Sequence, residues 1–356
     1  MALLHVKNVN VCGFAAGVPS NVVKNADLIS TKSKYSIDEF VAQTGIKSKY
    51  YSKVLTTSDL CYKAAEQLIA DLEWDRSDIG AIVFVSQNPD YPRPATACIL
   101  QSRLKLSKEC LAYDIIFGCS GWVYGLSSIS ALMQSGEIKK ALLLVGEAKE
   151  EHQDLLAGHA ATATALEYCE NSEGLRFHLG TDGDGWDSIV IPDGGSRNPF
   201  STKSLEDIEV DGKKVNRLTS IMKGMDVFSF GISTAPKSIK KLAEHYNFDY
   251  HDADYLILHQ ANKQMNEMIV KKLKFDTNKV PSSMFEFGNT SSASIPLTIA
   301  TQLMGKVEDK TTKFVCCGFG VGLSWGTVEF TTNKLVISPL VEVDDSEIDS
   351  KYIYTI

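Results

Sequence analysis

The chain lacks the long apolar segments that would place it in a membrane. None of its apolar runs approaches the roughly 20 residues needed to span a bilayer, and runs such as ALLLVG at 141–146 have the length of a β-strand. The N-terminal stretch MALLHVKNVNV has no basic region, extended apolar core or cleavage site of a secretory signal. From these absences we expect a cytoplasmic protein that does not act at a membrane.

An excess of positive charge is also absent. The 356 residues include 36 Lys and Arg against 44 Asp and Glu, so the formal net charge is −8. Nucleic-acid binders need clustered basic residues, and we therefore expect no nucleic-acid partner. A local basic patch that receives an acidic carrier remains compatible with this balance. The length indicates two domains or one doubled architecture.

Metal-binding and disulfide patterns are missing as well. No cysteine pair has C-x-x-C spacing and no His/Cys cluster has zinc-finger spacing, so we expect no metal. A large cytosolic chain does not need a disulfide framework, and most of the thiols lie in apolar contexts typical of buried cysteine. The eight are Cys12, Cys61, Cys98, Cys110, Cys119, Cys169, Cys316 and Cys317.

Short apolar runs alternate with amphipathic segments along the chain, which indicates an α/β fold. The runs at 79–85, 141–145, 255–258 and 313–317 are predicted to be buried strands, and the segments at 60–72 and 236–245 are predicted to be helices. The pattern at 259–268 (HQANKQMNEM) also indicates a helix.

Two internal repeats indicate a duplication. An aromatic-Asp-x-x-Asp pattern precedes a strand at Asp75 and again at Asp249, and an aromatic-Gly turn precedes a helix at Phe117 and at Phe287. The offsets are 249 − 75 = 174 and 287 − 117 = 170, about half the chain. The duplication places Cys119 and Asn289 at equivalent corners, which in a pseudo-symmetric fold face each other.

Three polar residues lie where catalysis would use them. Cys119 opens a predicted helix, where free backbone N–H groups and the helix dipole lower a thiol pKa. His259 follows a buried strand at the sheet edge where α/β sites are built. Taken alone, each of these residues fits a structural role about as well as a catalytic one. Asn289, for example, fits the role of a helix cap or turn residue. The loop GFGVG at 318–322 fits neither a P-loop nor a dinucleotide fingerprint, and its amides suit an oxyanion.

The ordered set GCSG, LHQANKQM, FGNTSSASIPL and GFGVGLSWG, with the TGI and PATACILQ segments, resembles the β-ketoacyl-acyl-carrier-protein synthase III family of thiolase-fold condensing enzymes over about residues 3–330. The resemblance implies duplicated βαβαβαββ halves in five αβαβα layers, as residues 1–173 and 174–330, with 331–356 as an extension. It implies a homodimer, a catalytic triad and an oxyanion hole from the backbone of Cys119 and Val321. The triad is Cys119, His259 and Asn289.

The implied reaction is a decarboxylative Claisen condensation of an acyl primer on Cys119 with a malonyl thioester, in fatty-acid or specialised acyl biosynthesis. The substrates are thioesters of coenzyme A or acyl-carrier protein, and no cofactor is implied. Three alternatives stay open: acyl transfer from Cys119 to an oxygen or nitrogen nucleophile, an inactive partner subunit, and a papain-like hydrolase with the same residue types.

The implied substrate pocket departs from the family pattern. Family members commonly carry Trp and Arg before TGI to grip the adenine of coenzyme A, whereas this chain has Phe40 and Gln43. Arg93 stands where an aromatic residue often meets the primer pocket. We expect a primer that is delivered by a carrier protein, or is larger or more polar than acetyl. The expected pocket residues are Phe40, Gln43, Arg93, Trp122 and Phe319.

Overall fold

A computed structural model describes residues 2–28, 36–148, 155–210 and 213–355. The strands in these ranges are β1 (Ala2–Val6), β2 (Val9–Pro19), β3 (Val22–Lys24), β4 (Ser48–Tyr50), β5 (Ile79–Val85), β6 (Leu111–Ile115), β7 (Lys140–Glu147), β8 (Ala160–Tyr168), β9 (Leu175–Thr181), β10 (Ile189–Val190), β11 (Ile208–Val210), β12 (Lys213–Val215), β13 (Ile221–Met222), β14 (Tyr255–Leu258), β15 (Thr312–Gly320), β16 (Ser324–Thr332), β17 (Val336–Ile337) and β18 (Val341–Val343). The α-helices are α1 (Asn25–Leu28), α2 (Ile37–Thr44), α3 (Thr57–Asp71), α4 (Thr96–Arg103), α5 (Gly121–Met133), α6 (Gly224–Tyr246), α7 (Lys263–Leu273), α8 (Met284–Phe287) and α9 (Ser294–Gln302).

Two mixed sheets form the centre of the molecule. The larger has the order β17-β2-β8-β7-β5-β6, with β18 also on β2, and the smaller has the order β1-β9-β16-β15-β14. Helices α5 and α9 contact both sheets and lie between them, while α3 and α4 cover the outer face of the larger sheet and α6 and α7 that of the smaller. The predicted αβαβα layers are therefore confirmed.

The two sheets repeat one topology. The order β2-β8-β7-β5 in one matches β9-β16-β15-β14 in the other. The repeated aspartates also have the same structural role, because each caps the turn before a strand. Asp75 accepts the N–H of Ser77 at 2.8 Å before β5, and Asp249 accepts the N–H of His251 at 2.9 Å before β14. The copies differ at one edge. Residues 277–287 form short helical turns where the larger sheet has β6.

The buried runs form strands where the sequence predicts them, but the helix predicted from residue 259 begins four residues later, at Lys263. Asn262 is the cause, because it adopts extended backbone angles and its side chain accepts the Met265 N–H at 2.8 Å as an N-cap. His259 therefore lies in a loop directly after β14 rather than on a helix.

The ends of the chain complete opposite sheets. Strand β1 pairs with β9 in the smaller sheet, whereas β17 and β18 pair with β2 in the larger. Beyond β18 the chain crosses the helical layer, where Lys63 pairs with Glu347 and the Tyr91 hydroxyl donates to the Tyr352 carbonyl at 2.9 Å. Among the helices of the described residues, none has the length and apolar composition required to cross a membrane.

Candidate active site

Cys119 lies in the tight turn between β6 and α5. The Gly121 N–H donates to the Gly118 carbonyl at 2.7 Å, which closes the turn, and the Ser120 hydroxyl is hydrogen-bonded to that of Ser324 at 2.7 Å. The thiol thus sits at the N-terminal end of a 13-residue helix, where free N–H groups favour a negative charge.

The glycine-rich loop at the end of β15 approaches this thiol closely. A Cβ on Gly320 would lie 2.6 Å from the Cys119 sulfur, so only glycine fits at this contact. The next residue, Val321, donates its backbone N–H to the Cys119 sulfur. This places one amide of the predicted oxyanion hole beside the nucleophile.

His259 reaches Cys119 from the smaller sheet. Its backbone N–H donates to the Cys317 carbonyl at 2.9 Å, and its ring Nδ1 is hydrogen-bonded to the Ser294 hydroxyl at 2.8 Å. The ring of Phe319 meets the imidazole edge-on, with 5.6 Å between the ring centroids. With Nδ1 held by Ser294, Nε2 is the nitrogen left for the hydrogen bond with Cys119.

Asn289 is fixed by its own turn. Its N–H donates to the Leu156 carbonyl at 2.8 Å, and its side-chain oxygen accepts the Ser291 N–H at 2.9 Å. Since the oxygen of the amide is engaged, the NH₂ group is the part free to donate. Asn289 and Cys119 line the same cavity.

The electrostatics separate Cys119 from other thiols of the chain. Burial raises its pKa, but the charge and hydrogen bond of His259, with the Val321 N–H and the Ser291 hydroxyl, outweigh this effect and lower the pKa to about 7. Burial raises the pKa of Cys317 to about 12 and that of Cys110 to about 11. Cys119 therefore has the thiolate character that a nucleophile needs.

The cavity beside Cys119 has a volume of about 200 Å³. Its walls combine apolar side chains, among them Ile189, Ile191 and Met222, with polar groups from several strand ends and loops. The polar lining residues are Gln87, Asn88, Glu147, His159, Ser220, Asn289 and Ser291.

The expected pocket residues are not all near the thiol. Phe319 packs against His259, as described above, but does not line the cavity. Trp122 is fully buried between the sheets, where its Nε1 donates to Thr164 at 3.0 Å, and it is a core residue that does not line the cavity. Phe40 and Gln43 lie on α2 and Arg93 is exposed before α4, and none of the three lines the cavity.

Sequence reasoning missed the groups that orient the site. Ser294 holds the imidazole and Ser291 hydrogen-bonds the thiol, yet both lie in a Ser-rich stretch that reads as a turn and helix start. Gln87 and Glu147 follow or end buried parallel strands. His259 is a candidate because it follows the end of a buried strand in an α/β fold. The same criterion identifies Gln87 and Glu147.

Paired sheets of one topology, with a cysteine, a histidine and an asparagine brought together from the two copies, define a thiolase-fold protein. Two family models match the chain: 3-oxoacyl-[acyl-carrier-protein] synthase III over residues 113–183 and the C-terminal region of the same synthase over residues 243–331. The chain belongs to the 3-oxoacyl-[acyl-carrier-protein] synthase III family.

Individual relatives match nearly the whole chain. It is 33% identical over 324 residues to the β-ketoacyl-[acyl-carrier-protein] synthase III of Streptococcus agalactiae, covering 87% of this chain and 95% of that protein. The Clostridium perfringens synthase III is 31% identical over 330 residues, with coverage of 90% and 98%. The crystal structure of a 3-oxoacyl-(acyl-carrier-protein) synthase from Burkholderia xenovorans superposes with a TM-score of 0.88 at 32% identity, covering 96% and 99%.

Proposed function

We propose that the protein catalyses a decarboxylative Claisen condensation between an acyl group held on Cys119 and a malonyl thioester. The observation that carries this proposal is the pairing of a Cys119 thiol of pKa about 7 with His259, in a cavity that Asn289 also lines. The family relationship supports the same reaction type.

In the first half-reaction the Cys119 thiolate attacks the carbonyl carbon of the primer thioester. A new C–S bond forms, the C–S bond to the carrier sulfur breaks, and the released thiolate takes up the proton that His259 accepted from Cys119. The oxyanion of the tetrahedral intermediate is stabilised by the backbone N–H groups of Cys119 and Val321. The acyl group then remains on Cys119 as a thioester.

In the second half-reaction a malonyl thioester loses CO₂, and the electron pair of the broken C–C bond remains as an enolate. His259 Nε2 and the Asn289 NH₂ donate hydrogen bonds to the enolate oxygen. The carbanion attacks the acyl carbonyl, and the Cys119 thiolate leaves as the new C–C bond forms. The electrons stay within the reacting groups, so the proposal includes no metal or redox cofactor.

The acyl donors are thioesters of coenzyme A or of an acyl-carrier protein. Helix α7 begins four residues after His259 and carries the exposed residues Lys271 and Lys272 near its C-terminus, with Lys274 directly beyond. This local positive charge in a chain of net charge −8 supports docking of an acidic carrier protein.

A product assay tests the reaction. With a primer thioester and malonyl-carrier protein we expect CO₂ release in step with a β-keto product, and both are expected to disappear in Cys119→Ala. Mass spectrometry of the product and trapping of labelled CO₂ measure the two. Transfer of the acyl group to a hydroxyl or amine without CO₂ release would instead support an acyltransferase of the same fold.

We also propose that the protein is a homodimer, joined through β6. This strand is the outer edge of the larger sheet, and it presents Leu111, 43% exposed, with Ile116 directly beyond, 73% exposed. An apolar edge strand pairs readily with a second copy. Light scattering is expected to give twice the 39.1 kDa of one chain, with Ile116→Asp shifting the mass toward the monomer and the exposed Leu205→Asp leaving it unchanged. A monomeric wild-type protein would refute this proposal.

A further inference from the structure

The cavity beside Cys119 has one wall built from two neighbouring strand ends. Strands β5 and β7 are parallel, with Val85 opposite Val145. Residues 86–88 follow β5 directly, and Glu147 is the last residue of β7. The carboxyl ends of parallel strands are where α/β proteins bind their ligands.

Glu147 holds the segment after β5 in place. Its carboxylate accepts the Gln87 backbone N–H at 2.9 Å, the Ser86 hydroxyl at 3.2 Å and the Asn88 side-chain NH₂ at 2.5 Å. Glu147 itself is 4% exposed. Three bonds from consecutive residues to one buried carboxylate fix the direction in which the Gln87 side chain leaves the backbone.

The Gln87 side chain reaches the turn that carries the nucleophile. Its amide oxygen is 2.6 Å from the position that a Cβ on Gly118 would occupy, one residue before Cys119. Gln87 is partly buried and lines the cavity. Its amide group makes no hydrogen bond with any of residues 2–28, 36–148, 155–210 and 213–355, so its donor and its acceptor are both available to a ligand in the cavity.

The cavity also has an apolar lining. Its apolar side chains include Ile189, Ile191 and Met222. These side chains are available to contact the carbon chain of an acyl primer.

Resting on the proposed function, we propose that the primer is an acyl group that carries a hydroxyl, and that Gln87 selects it by hydrogen-bonding this hydroxyl. The apolar wall contacts the carbon chain, and the Gln87 amide pairs with the polar substituent. A primer without that substituent leaves the amide unpaired away from water, which disfavours it. Of the two departures from acetyl that the sequence leaves open, the Gln87 amide supports greater polarity.

Acylation of Cys119 by N-acetylcysteamine thioesters tests the inference without a carrier. The probes are acetyl, butyryl, 3-hydroxybutyryl and 4-hydroxybutyryl thioesters, and the rates are read from the mass of the Cys119 peptide. We expect the better of the two hydroxybutyryl thioesters to react about tenfold faster than butyryl.

Gln87→Met keeps the length of the side chain but removes its hydrogen bonds. We expect it to lower the ratio of hydroxybutyryl to butyryl rates to about one while Cys119 still reacts with butyryl. Gln67→Met, the same change on the outer face of α3, is expected to leave the ratio unchanged. A wild-type preference for butyryl over both hydroxybutyryl thioesters, or an unchanged ratio in Gln87→Met, would overturn the inference alone. No acylation of Cys119 by any probe would instead refute the proposed function, and the inference with it.

Discussion

Replacing Asn289 with aspartate is expected to stop condensation while Cys119 continues to accept acyl groups. Aspartate has nearly the same shape, and its carboxylate still accepts the Ser291 N–H that fixes the native side chain at 2.9 Å. It loses the NH₂ donor, however, and places a negative charge where the enolate forms. Since removal of a single oxyanion donor lowers rates by about 10²–10³, we expect a loss of about 10³ or more in CO₂ release and β-keto product.

The acylation step provides the internal control for this variant. Cys119 lies near the new charge, so its acylation is expected to slow by up to about tenfold but to continue. Asn289→Ala, which loses the donor without gaining a charge, is expected to fall between the wild type and the aspartate variant in condensation. If acylation and condensation fell by the same factor in both variants, Asn289 would not act on the second half-reaction.

Replacing His259 with alanine is expected to raise the pKa of Cys119. In the native site the charge and hydrogen bond of His259 offset the effect of burial and hold this pKa at about 7, and without the imidazole the effect of burial prevails. A shift from about 7 to the ordinary value of 9.0 lowers the thiolate fraction at pH 7 from about one half to about one hundredth. The same variant also loses a hydrogen-bond donor to the enolate oxygen. We therefore expect the rate of condensation to fall by a larger factor than the rate of Cys119 alkylation.

The rate of alkylation by iodoacetamide as a function of pH measures this shift. The thiolate is the reactive form, so the rate rises with pH and its midpoint reports the pKa: about 7 in the wild type and at least two pH units higher in His259→Ala. The signal is read on the Cys119 peptide, because Cys98 and Cys169 are exposed and would also react. Ser294→Ala, which keeps the imidazole but releases Nδ1, is expected to shift the midpoint less. Equal midpoints in the wild type and His259→Ala would show that the histidine does not activate the thiol.

The sequence carried enough information for the architecture and for the residues at its centre. Buried apolar runs and the aromatic-Asp-x-x-Asp repeat are local signals, and the structure shows the repeat as matched caps before β5 and β14. The equivalence of Cys119 and Asn289 follows from the same duplication. These features are predictable because each is carried by short patterns of neighbouring residues, which the duplication repeats 170–174 residues later.

Other features depend on contacts between distant segments. The hydrogen bond of His259 with Ser294 joins residues 35 apart in the chain, and that of the Gln87 backbone with Glu147 joins residues 60 apart. No local sequence pattern indicates either hydrogen bond. For Trp122 the local pattern gives a wrong prediction. A large aromatic residue three positions after the nucleophile is expected in the pocket, but the helix directs Trp122 away from the thiol and toward the core.

The exchange of chain ends between the sheets has a consequence for engineering. A chain divided between its two copies would leave β9 without β1 and β2 without β17 and β18, so each piece would present bare edges of the kind that lead to aggregation. The halves are therefore no longer interchangeable modules, although their topology shows a duplication. Any attempt to swap one copy for that of a relative must carry the opposite terminus with it.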